Sequence, residues 1–571
     1  MESVENVDVD EVWKTLGRFG RYQLGQLVIL IIAGIPMAFH IVSVVFIGKH
    51  IDHVCSFSPE ADGNHNASVV LESCKIQIVA NTSNGTDVTE YACSNGYNYT
   101  GDRYSSFVTE WDLVCERDAL GKLSQTLVMV GMFLGASFLP IVADRFGRKR
   151  LHVGSHSLLL VVTVAMAFVP SFIGFAILRV FVGIFQEGYL IPLFIIMLEL
   201  FPAQQKEVIG FLFNLLWGIS ILLVTPIAYC MQNYSWRSIQ LVLAISTAFS
   251  IIEFFILDES VRWLVANKRT KEAIKIVKKA CKMNHKDFDS VWQTILERSN
   301  AMTAFNQTKE KERTTLLNEP DLSSTIDRSS VSTVEDGKLA DGAIKLSFLD
   351  LLKNRTLRSM TLIVTYAWFT NSMTYYGLML LSTILAGDPY INFLLGGVLE
   401  IPANILLWFL LAKIGRKKTC IFFHTGVGLS LLITVLVALA EKSHTTGIMQ
   451  TVFSLDGRFF IAGCFNAVWI YTPELFPTNI RNFGVGIASS AGQIGAMASP
   501  FFSSLAQVAI WAPSAIFSAA CLLVSFLVIF LPETTGRKLP QTISEVVRWR
   551  KQDILDKTKG TTIDDIQFEK I

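Results

Sequence analysis

The chain has 571 residues, of which 51% are hydrophobic, 40 are Phe and only 17% are charged, and its mean hydropathy is +0.44. Soluble domains carry about 25% charged residues, so a soluble chain of this length, with several cores and a polar cover, is excluded in favour of one that uses lipid as solvent. The net charge of +1 offers no basic footprint for nucleic acid, and local charge placement matters more than the sum.

Residues 1–23 form an N-terminal segment that is acidic over its first 12 residues. No secretory signal is read there, because the first apolar run is too long for a signal core. A helix of about 20 apolar residues crosses a bilayer core of about 30 Å. Runs of that kind lie near 24–47, 122–143, 151–170, 173–198, 208–231, 238–257, 359–382, 391–412, 420–440, 448–472, 483–508 and 513–531. They predict an all-α membrane protein with twelve transmembrane helices.

The long segment 48–121 between the first two spans carries four sequons, at Asn66, Asn81, Asn84 and Asn98, and four cysteines, Cys55, Cys74, Cys93 and Cys115. An even cysteine count beside clustered sequons predicts an oxidised, glycosylated extracellular loop. Four cysteines allow three pairings, and all three stay open. Cys230, Cys281, Cys420, Cys464 and Cys521 are expected to be free thiols.

The second span ends in ADRFGRKR (Ala143–Arg150) and the eighth in LAKIGRKKT (Leu411–Thr419). Lys and Arg favour cytoplasmic loops, so both bursts mark the inner side and both termini are expected in the cytoplasm. The division that follows is an N-terminal bundle over 24–258, a cytoplasmic linker over 259–357, a C-terminal bundle over 358–532 and a cytoplasmic tail over 533–571. Within the linker, TKEAIKIVKKACK (270–282) places Ala273, Ile274, Val277 and Cys281 on one helical face and lysines on the rest. Such a helix lies on the anionic leaflet or covers the span ends. Residues 300–345 are polar, with a composition that predicts disorder.

Three strings recur at one spacing. DRFGRKR at 144 matches AKIGRKKT at 412, ELFPAQQ at 199 matches ELFPTNI at 474, and LDESVRWL at 257 is echoed by LPETTGRKL at 531, with offsets of about 270 residues. The halves therefore read as copies of a six-helix unit, two pseudo-symmetric bundles, and internal repeats of this kind are a signature of secondary transporters. Asp144, Arg145, Arg148 and Glu199 fall at inner helix ends of one half, and Arg416, Glu474 and Arg481 at those of the other. As gating residues, their opposite charges would hold the bundles together on the inside through partly solvated, exchangeable ion pairs.

These motifs resemble the major facilitator superfamily, in the loop pattern D-R-x-G-R-K/R, the E-L-F-P ends and the P-E-T closers. FVTEWDLVC (107–115), WFTNSMTYYGL (368–378), LEIPANI (399–405) and PELFPTNIRNFGVG (473–486) are similar to the organic cation/anion/zwitterion transporter family, solute carrier family 22. The resemblance covers essentially the whole chain. It implies the major facilitator fold and alternating-access movement of small organic ions, usually at the plasma membrane. The partners implied are a small organic ion and the lipid bilayer.

Ionisable groups at membrane depth default to functional hypotheses. Glu187 in the fourth span, Glu400 in the eighth and Arg458 in the tenth are the candidates. Arg179 reads as structural, and Glu253 as a group reaching the headgroups. In the resembling family, the place eleven residues beyond the Arg-Asn pair carries Asp in cation transporters and Arg in anion and carnitine-type members. Here it is Gln493, which has neither charge. Several cation members carry Lys near the place of Glu187, so the charge here is reversed. Two carboxylates at membrane depth favour a positive group on the substrate. Trp368, Phe369, Tyr375 and Tyr376 add aromatic faces, each worth about 0.5–2 kcal/mol to a desolvated cation. Arg458 and Gln493 would suit a carboxylate on the same molecule, as in a betaine. The substrate-binding set expected is thus Glu187, Glu400, Gln493, Tyr375, Tyr376, Trp368 and Arg458. The competing readings are an organic anion exchanger anchored on Arg458, a sugar porter, and a non-transporting receptor that keeps the fold.

No enzyme motif is present: no P-loop, no HExxH, no GxSxG in a suitable context and no metal-spaced Cys/His cluster. His40, His152 and His156 read as isolated residues near span ends. No cofactor and no metal are expected.

Overall fold

A computed structural model describes residues 9–17, 19–56, 67–82, 85–93, 95–295, 354–441, 443–477, 480–537, 540, 545–546 and 548–549. The polar segment 300–345, most of the tail, and Asn66 and Asn84 lie outside the described residues.

Among the described residues, twelve helical spans follow one another. The first runs from Arg21–Gly34 through a 3₁₀ turn, Ile35–Met37, into Phe39–Val42 and Val44–Ile47. Spans two to five are Asp118–Phe146, Arg148–Met166, Phe172–Glu199 and Lys206–Cys230, and span six joins Trp236–Ile245 to Ser250–Ile256. Spans seven to ten are Arg355–Leu381, Pro389–Lys413, Arg416–Leu439 and His444–Leu475. Span eleven is Arg481–Ala498 followed by Phe501–Val508, and span twelve is Ala512–Val528. Seven of these are long and apolar enough to cross a membrane on composition alone. The rest fall short for physical reasons. Span three opens on Arg-Lys-Arg, span eleven is broken, and span twelve is short. Span seven buries Thr370, Asn371, Ser372 and Thr374, and span ten buries Ser454, Arg458 and Thr472.

The packing repeats. Span four lies on spans two and three, and span three on span six; span ten lies on spans eight and nine, and span nine on span twelve. Adding six to each span of the first set gives the second. Between the halves, span five meets span eight and span two meets span eleven, and the same operation exchanges these two contacts. The halves are therefore related by a pseudo-two-fold axis. Small residues set the tightest crossing: a Cβ on Gly131 of span two would strike the Val180 carbonyl, and one on Gly183 of span four the Val128 carbonyl. Gly131 and Gly135 form a small-xxx-small pair, which lets membrane helices touch backbone to backbone.

The face that carries segment 48–121 is called here the loop face, and the opposite face the motif face. On the loop face, β1 (His53–Cys55) pairs antiparallel with β5 (Tyr97–Tyr99), and β2 (Ala67–Leu71), β3 (Lys75–Thr82) and β4 (Gly85–Ala92) form an antiparallel meander. Of the three pairings open to the four cysteines, the structure has Cys55–Cys93 and Cys74–Cys115. Asn98 sits on β5 with its side chain exposed. Burial, with the Asp112 carboxylate 2.9 Å away, pushes the Tyr99 phenol above its usual range. The string FVTEWDLVC docks the loop onto the N-half. Phe107, Trp111, Phe175 and Trp236 form one aromatic cluster, and Glu110 accepts from Trp236 Nε1 at 2.5 Å and Arg237 Nη2 at 2.6 Å.

On the motif face, the linker helix Thr270–Met283 buries Ala273, Val277, Ala280 and Cys281 and packs on the start of span one. It covers span ends, with Lys279 paired to Asp258 at 2.6 Å. A short helix, Val9–Leu16, joins it, with Trp13 stacked on Tyr22 at 6.1 Å.

Gly147 and Gly415 make the turns into spans three and nine at φ +113° and +85°. A Cβ on Gly147 would meet Glu259. Gly154, within span three, has open space at that position. Gly147→Ala is expected to destabilise the fold by about 1–3 kcal/mol, because few side chains tolerate that backbone. Gly154→Ala is expected to stabilise it by about 0.5–1 kcal/mol through helix propensity. Thermal unfolding of the detergent-purified variants, followed by circular dichroism, measures both shifts.

Candidate functional site

The three repeated strings meet in space. In the N-half, Arg148 lies 3.7 Å from Glu199, Glu199 also accepts from Ser260 Oγ, and Glu259 accepts from the Lys149 backbone N–H at 3.0 Å. In the C-half, Arg416 lies 3.2 Å from Glu474, Glu474 accepts from Thr534 Oγ1 at 2.5 Å, and Glu533 accepts from the Arg416 and Lys417 N–H groups at 3.0 and 3.2 Å. Each cluster is an arginine, a glutamate, a hydroxyl and a helix-capping glutamate at matching places. The capping carboxylates sit at the positive N-terminal ends of spans three and nine.

This changes the expected arrangement of the gating residues. Every ion pair described among them lies within one half. Asp144 pairs with Arg148 at 3.2 Å, four residues on along the chain. Arg145 is exposed, with its guanidinium over the Phe146 ring. Arg481 donates to the Phe476 carbonyl at 3.2 Å. The reason is that the halves meet elsewhere. Their described polar and aromatic contacts lie on the loop face and in the middle. Lys122 and Asp118 reach Ser504, Thr126 donates to the Met497 carbonyl at 2.9 Å, and Tyr390 stacks on Phe46 and meets Tyr229 edge-on. On the motif face, the charges are left to their own half.

At mid-membrane a hydrogen-bonded chain crosses from one half to the other. Trp217 of span five donates to the Tyr375 hydroxyl at 2.8 Å, and Tyr375 donates to Glu400 Oε1 at 2.6 Å. Arg458 Nη2 approaches the same carboxylate at 3.4 Å, and its guanidinium lies over the Tyr375 and Phe393 rings at 5.6 and 5.5 Å. Glu400, expected as a free carboxylate, is therefore compensated, and Arg458, expected as a free anchor, is engaged. Arg458 keeps Nε and Nη1 buried without partners.

Glu187 is different. It is 9% exposed and makes no hydrogen bond or ion pair among the described residues. Its Cβ packs against Gly135 of span two. Tyr376 is within electrostatic reach of both Glu187 and Glu400, and it stands edge-on to Tyr375 with ring centroids 5.3 Å apart. Tyr375 thus contacts Glu400 directly, and Tyr376 stands beside it on the side that senses Glu187 of the other half.

Trp368 and Gln493 do not join this group through hydrogen bonds. An indole N–H inside a membrane protein needs an acceptor, and Trp368 finds Thr472 Oγ1 at 2.9 Å while packing on Trp469 at 4.7 Å. These contacts pack it between spans seven and ten. Gln493 is half-buried on span eleven with no partner among the described residues. Arg179 is structural, held by Gln125 Oε1 at 2.8 Å and the Ser124 carbonyl at 3.2 Å. Glu253 does not reach the headgroups: it is fully buried between His152 and His156, so those histidines are not isolated. Trp217 was not expected at the site; a lone indole in the apolar run LLWGIS was its signal.

A model of the family described as "Sugar (and other) transporter" matches residues 76–545. The chain belongs to this family of major facilitators. It is 27% identical to mouse "Solute carrier family 22 member 3", over 94% of this chain and 95% of that one. It is 28% identical to human "Organic cation/carnitine transporter 2", over 95% and 94%. It is 27% identical to rat "Solute carrier family 22 member 7", over 95% and 99%. Among solved structures, the inward open E. coli xylose transporter XylE matches with a TM-score of 0.58 at 13% identity, over 90% of this chain and 98% of that one. The expected fold and family are thus both met, in a multi-pass membrane protein whose relatives are transporters rather than enzymes.

The Glu400–Arg458 pair has a stability signature. Removing one member of a buried pair leaves the other uncompensated, at about 3–5 kcal/mol. Glu400→Gln and Arg458→Gln should each lower the thermal midpoint more than the double variant does. A double-variant midpoint at the sum of the two single losses would show that the groups are uncoupled.

Proposed function

We propose that this protein is a plasma-membrane secondary transporter of small organic ions that prefers cations and zwitterions and works by alternating access. The observation that carries the preference is Glu187, a buried carboxylate without a partner among the described residues, placed across the inter-half boundary from the Tyr375–Tyr376 pair. A desolvated anion lacking a counter-charge is costly, and a substrate cation between the halves would relieve it while stacking on the tyrosine faces. Glu400 contributes less charge, because Arg458 and Tyr375 already answer it.

The zwitterion reading rests on Arg458 Nε and Nη1, which lack partners and suit a substrate carboxylate. An organic anion alone would place its charge against Glu187, and that disfavours the exchanger reading. The names of the relatives, which include organic cation and carnitine transporters, agree with this preference.

The loop face is assigned to the cell exterior, from its disulfides, its sequons with Asn98 exposed, and the basic motif ends opposite. Both termini are then cytoplasmic. Contacts between the halves on the loop face make this conformation closed to the outside. The two Arg–Glu–hydroxyl clusters tie the span ends within each half, so each half moves as one body. Opening outward requires the loop-face contacts to part and the Trp217–Tyr375 bond to break.

Uptake of a labelled organic cation, a betaine and an organic anion in voltage-controlled cells tests the proposal. Cation and betaine should accumulate, and cation uptake should grow with inside-negative potential, which supplies about 2.3 kcal/mol per charge per 100 mV. Anion uptake without cation uptake would overturn the charge assignment. No uptake of any of the three by surface-expressed protein would favour a receptor.

A further inference from the structure

His152 and His156 stand one turn apart on span three, and Glu253 faces them from span six. All three side chains are fully buried. His152 Nε2 lies 3.1 Å from Glu253 Oε2, and His156 Nδ1 lies 3.0 Å from Glu253 Oε1. The ligand-capable atoms of the three residues are within 4.8 Å of one another. The other nitrogen of His152, Nδ1, is 2.9 Å from the Tyr189 carbonyl. A carbonyl only accepts, so Nδ1 carries the proton. In the neutral ring, Nε2 then presents a lone pair to a carboxylate oxygen. A cation between this lone pair and the carboxylate oxygen would relieve the approach of two acceptors in a buried place.

We propose that His152 Nε2, His156 Nδ1 and the Glu253 carboxylate form a binding site for a divalent transition metal of the zinc class, with a fourth position open to water. Zinc takes imidazole nitrogen and carboxylate oxygen at about 2.0–2.2 Å, and tetrahedral geometry then sets ligand atoms roughly 3.3 Å apart. The His–Glu separations are close to that. A backbone carbonyl on the far nitrogen is the support that orients a metal-ligating histidine. Two imidazoles disfavour magnesium or calcium, which take oxygen ligands. Ser250, three residues before Glu253 and on the same side of its helix, is buried with an unpartnered hydroxyl.

The C-half provides an internal comparison. Gly147 matches Gly415, so His152 corresponds to Cys420 and His156 to His424. His424 Nδ1 lies 2.7 Å from the Cys420 carbonyl and its Nε2 2.9 Å from Asn371 Oδ1, so its partners are a carbonyl and an amide oxygen rather than a carboxylate. Glu259 matches Glu533, so Glu253 corresponds to Leu527. At the matching places the C-half has a cysteine, a histidine and a leucine, whereas the N-half brings together three side chains that can each offer a ligand atom. A bound metal would tie span three to span six near the motif face.

The test uses full-length protein in detergent, stripped with a chelator and titrated with Zn²⁺ or Co²⁺. A Cys230→Ser background removes the exposed free thiol. The proposal expects stoichiometric Zn²⁺, a thermal midpoint that rises with Zn²⁺, and the visible absorption of four-coordinate Co²⁺. Glu253→Gln and His152→Asn should weaken binding by more than the about 10–100-fold that a supporting-residue change causes. Should these variants fail to fold, the measurements on the parent protein decide alone. Lack of stoichiometric metal, undiminished binding in both variants, or a midpoint that follows pH but ignores Zn²⁺ would overturn the proposal; the last result would mean that a proton fills the place.

Discussion

A charge held in hydrocarbon must be answered within hydrogen-bond reach, and this requirement organises the interior of the molecule. Arg179 is answered by a glutamine, a carbonyl and a serine, all within the N-half. Glu253 is answered by two histidines. Glu400 is answered by Tyr375 and Arg458, and through Tyr375 it is connected to Trp217 in the other half. Glu187 alone among these has no answer from the protein. The buried charges thus divide into those that hold the fold together and one without a partner among the described residues.

The same rule separates rigid parts from moving ones. Charges at the motif face are solvated enough to pair locally, and they do so within each half, where a helix N-terminus and a hydroxyl add to each pair. Such clusters stiffen a bundle without joining it to its neighbour. Contacts between the halves, among the described residues, are helix packing of spans five on eight and two on eleven, aromatic contacts and single hydrogen bonds, with no ion pair across the boundary. Interactions of about 0.5–1.5 kcal/mol each can be exchanged one for another as the bundles rock. A network of buried ion pairs across the boundary would resist that motion.

Much of this architecture was legible in the sequence, because a bilayer leaves a strong length signal and a duplication leaves a strong spacing signal. The recurrence of Asp-Arg-x-Gly, Glu-Leu-Phe-Pro and the acidic closers marked the two halves. It did not reveal that Glu259 and Glu533 cap the helices that Gly147 and Gly415 begin, since a cap is a contact across more than a hundred residues. The pairing of Glu400 with Arg458 was hidden for the same reason: each reads as a functional charge until their 58-residue separation closes. His152 and His156 share a helix face at a spacing any helical wheel shows, but Glu253 is 97 residues from His156. Trp368 stands on an aromatic stripe that the sequence shows, but its hydrogen bond to Thr472 spans 104 residues and is not legible there.

The central claim is that the unanswered carboxylate of Glu187 selects the substrate's charge. Its most direct test is uptake of one organic cation by Glu187→Gln and by the unaltered protein, at the same membrane potential and normalised to surface-labelled transporter. The account predicts a fall of about tenfold or more, which corresponds to about 1.4 kcal/mol, with the fold intact. Uptake that is unchanged in rate and in voltage dependence would contradict it.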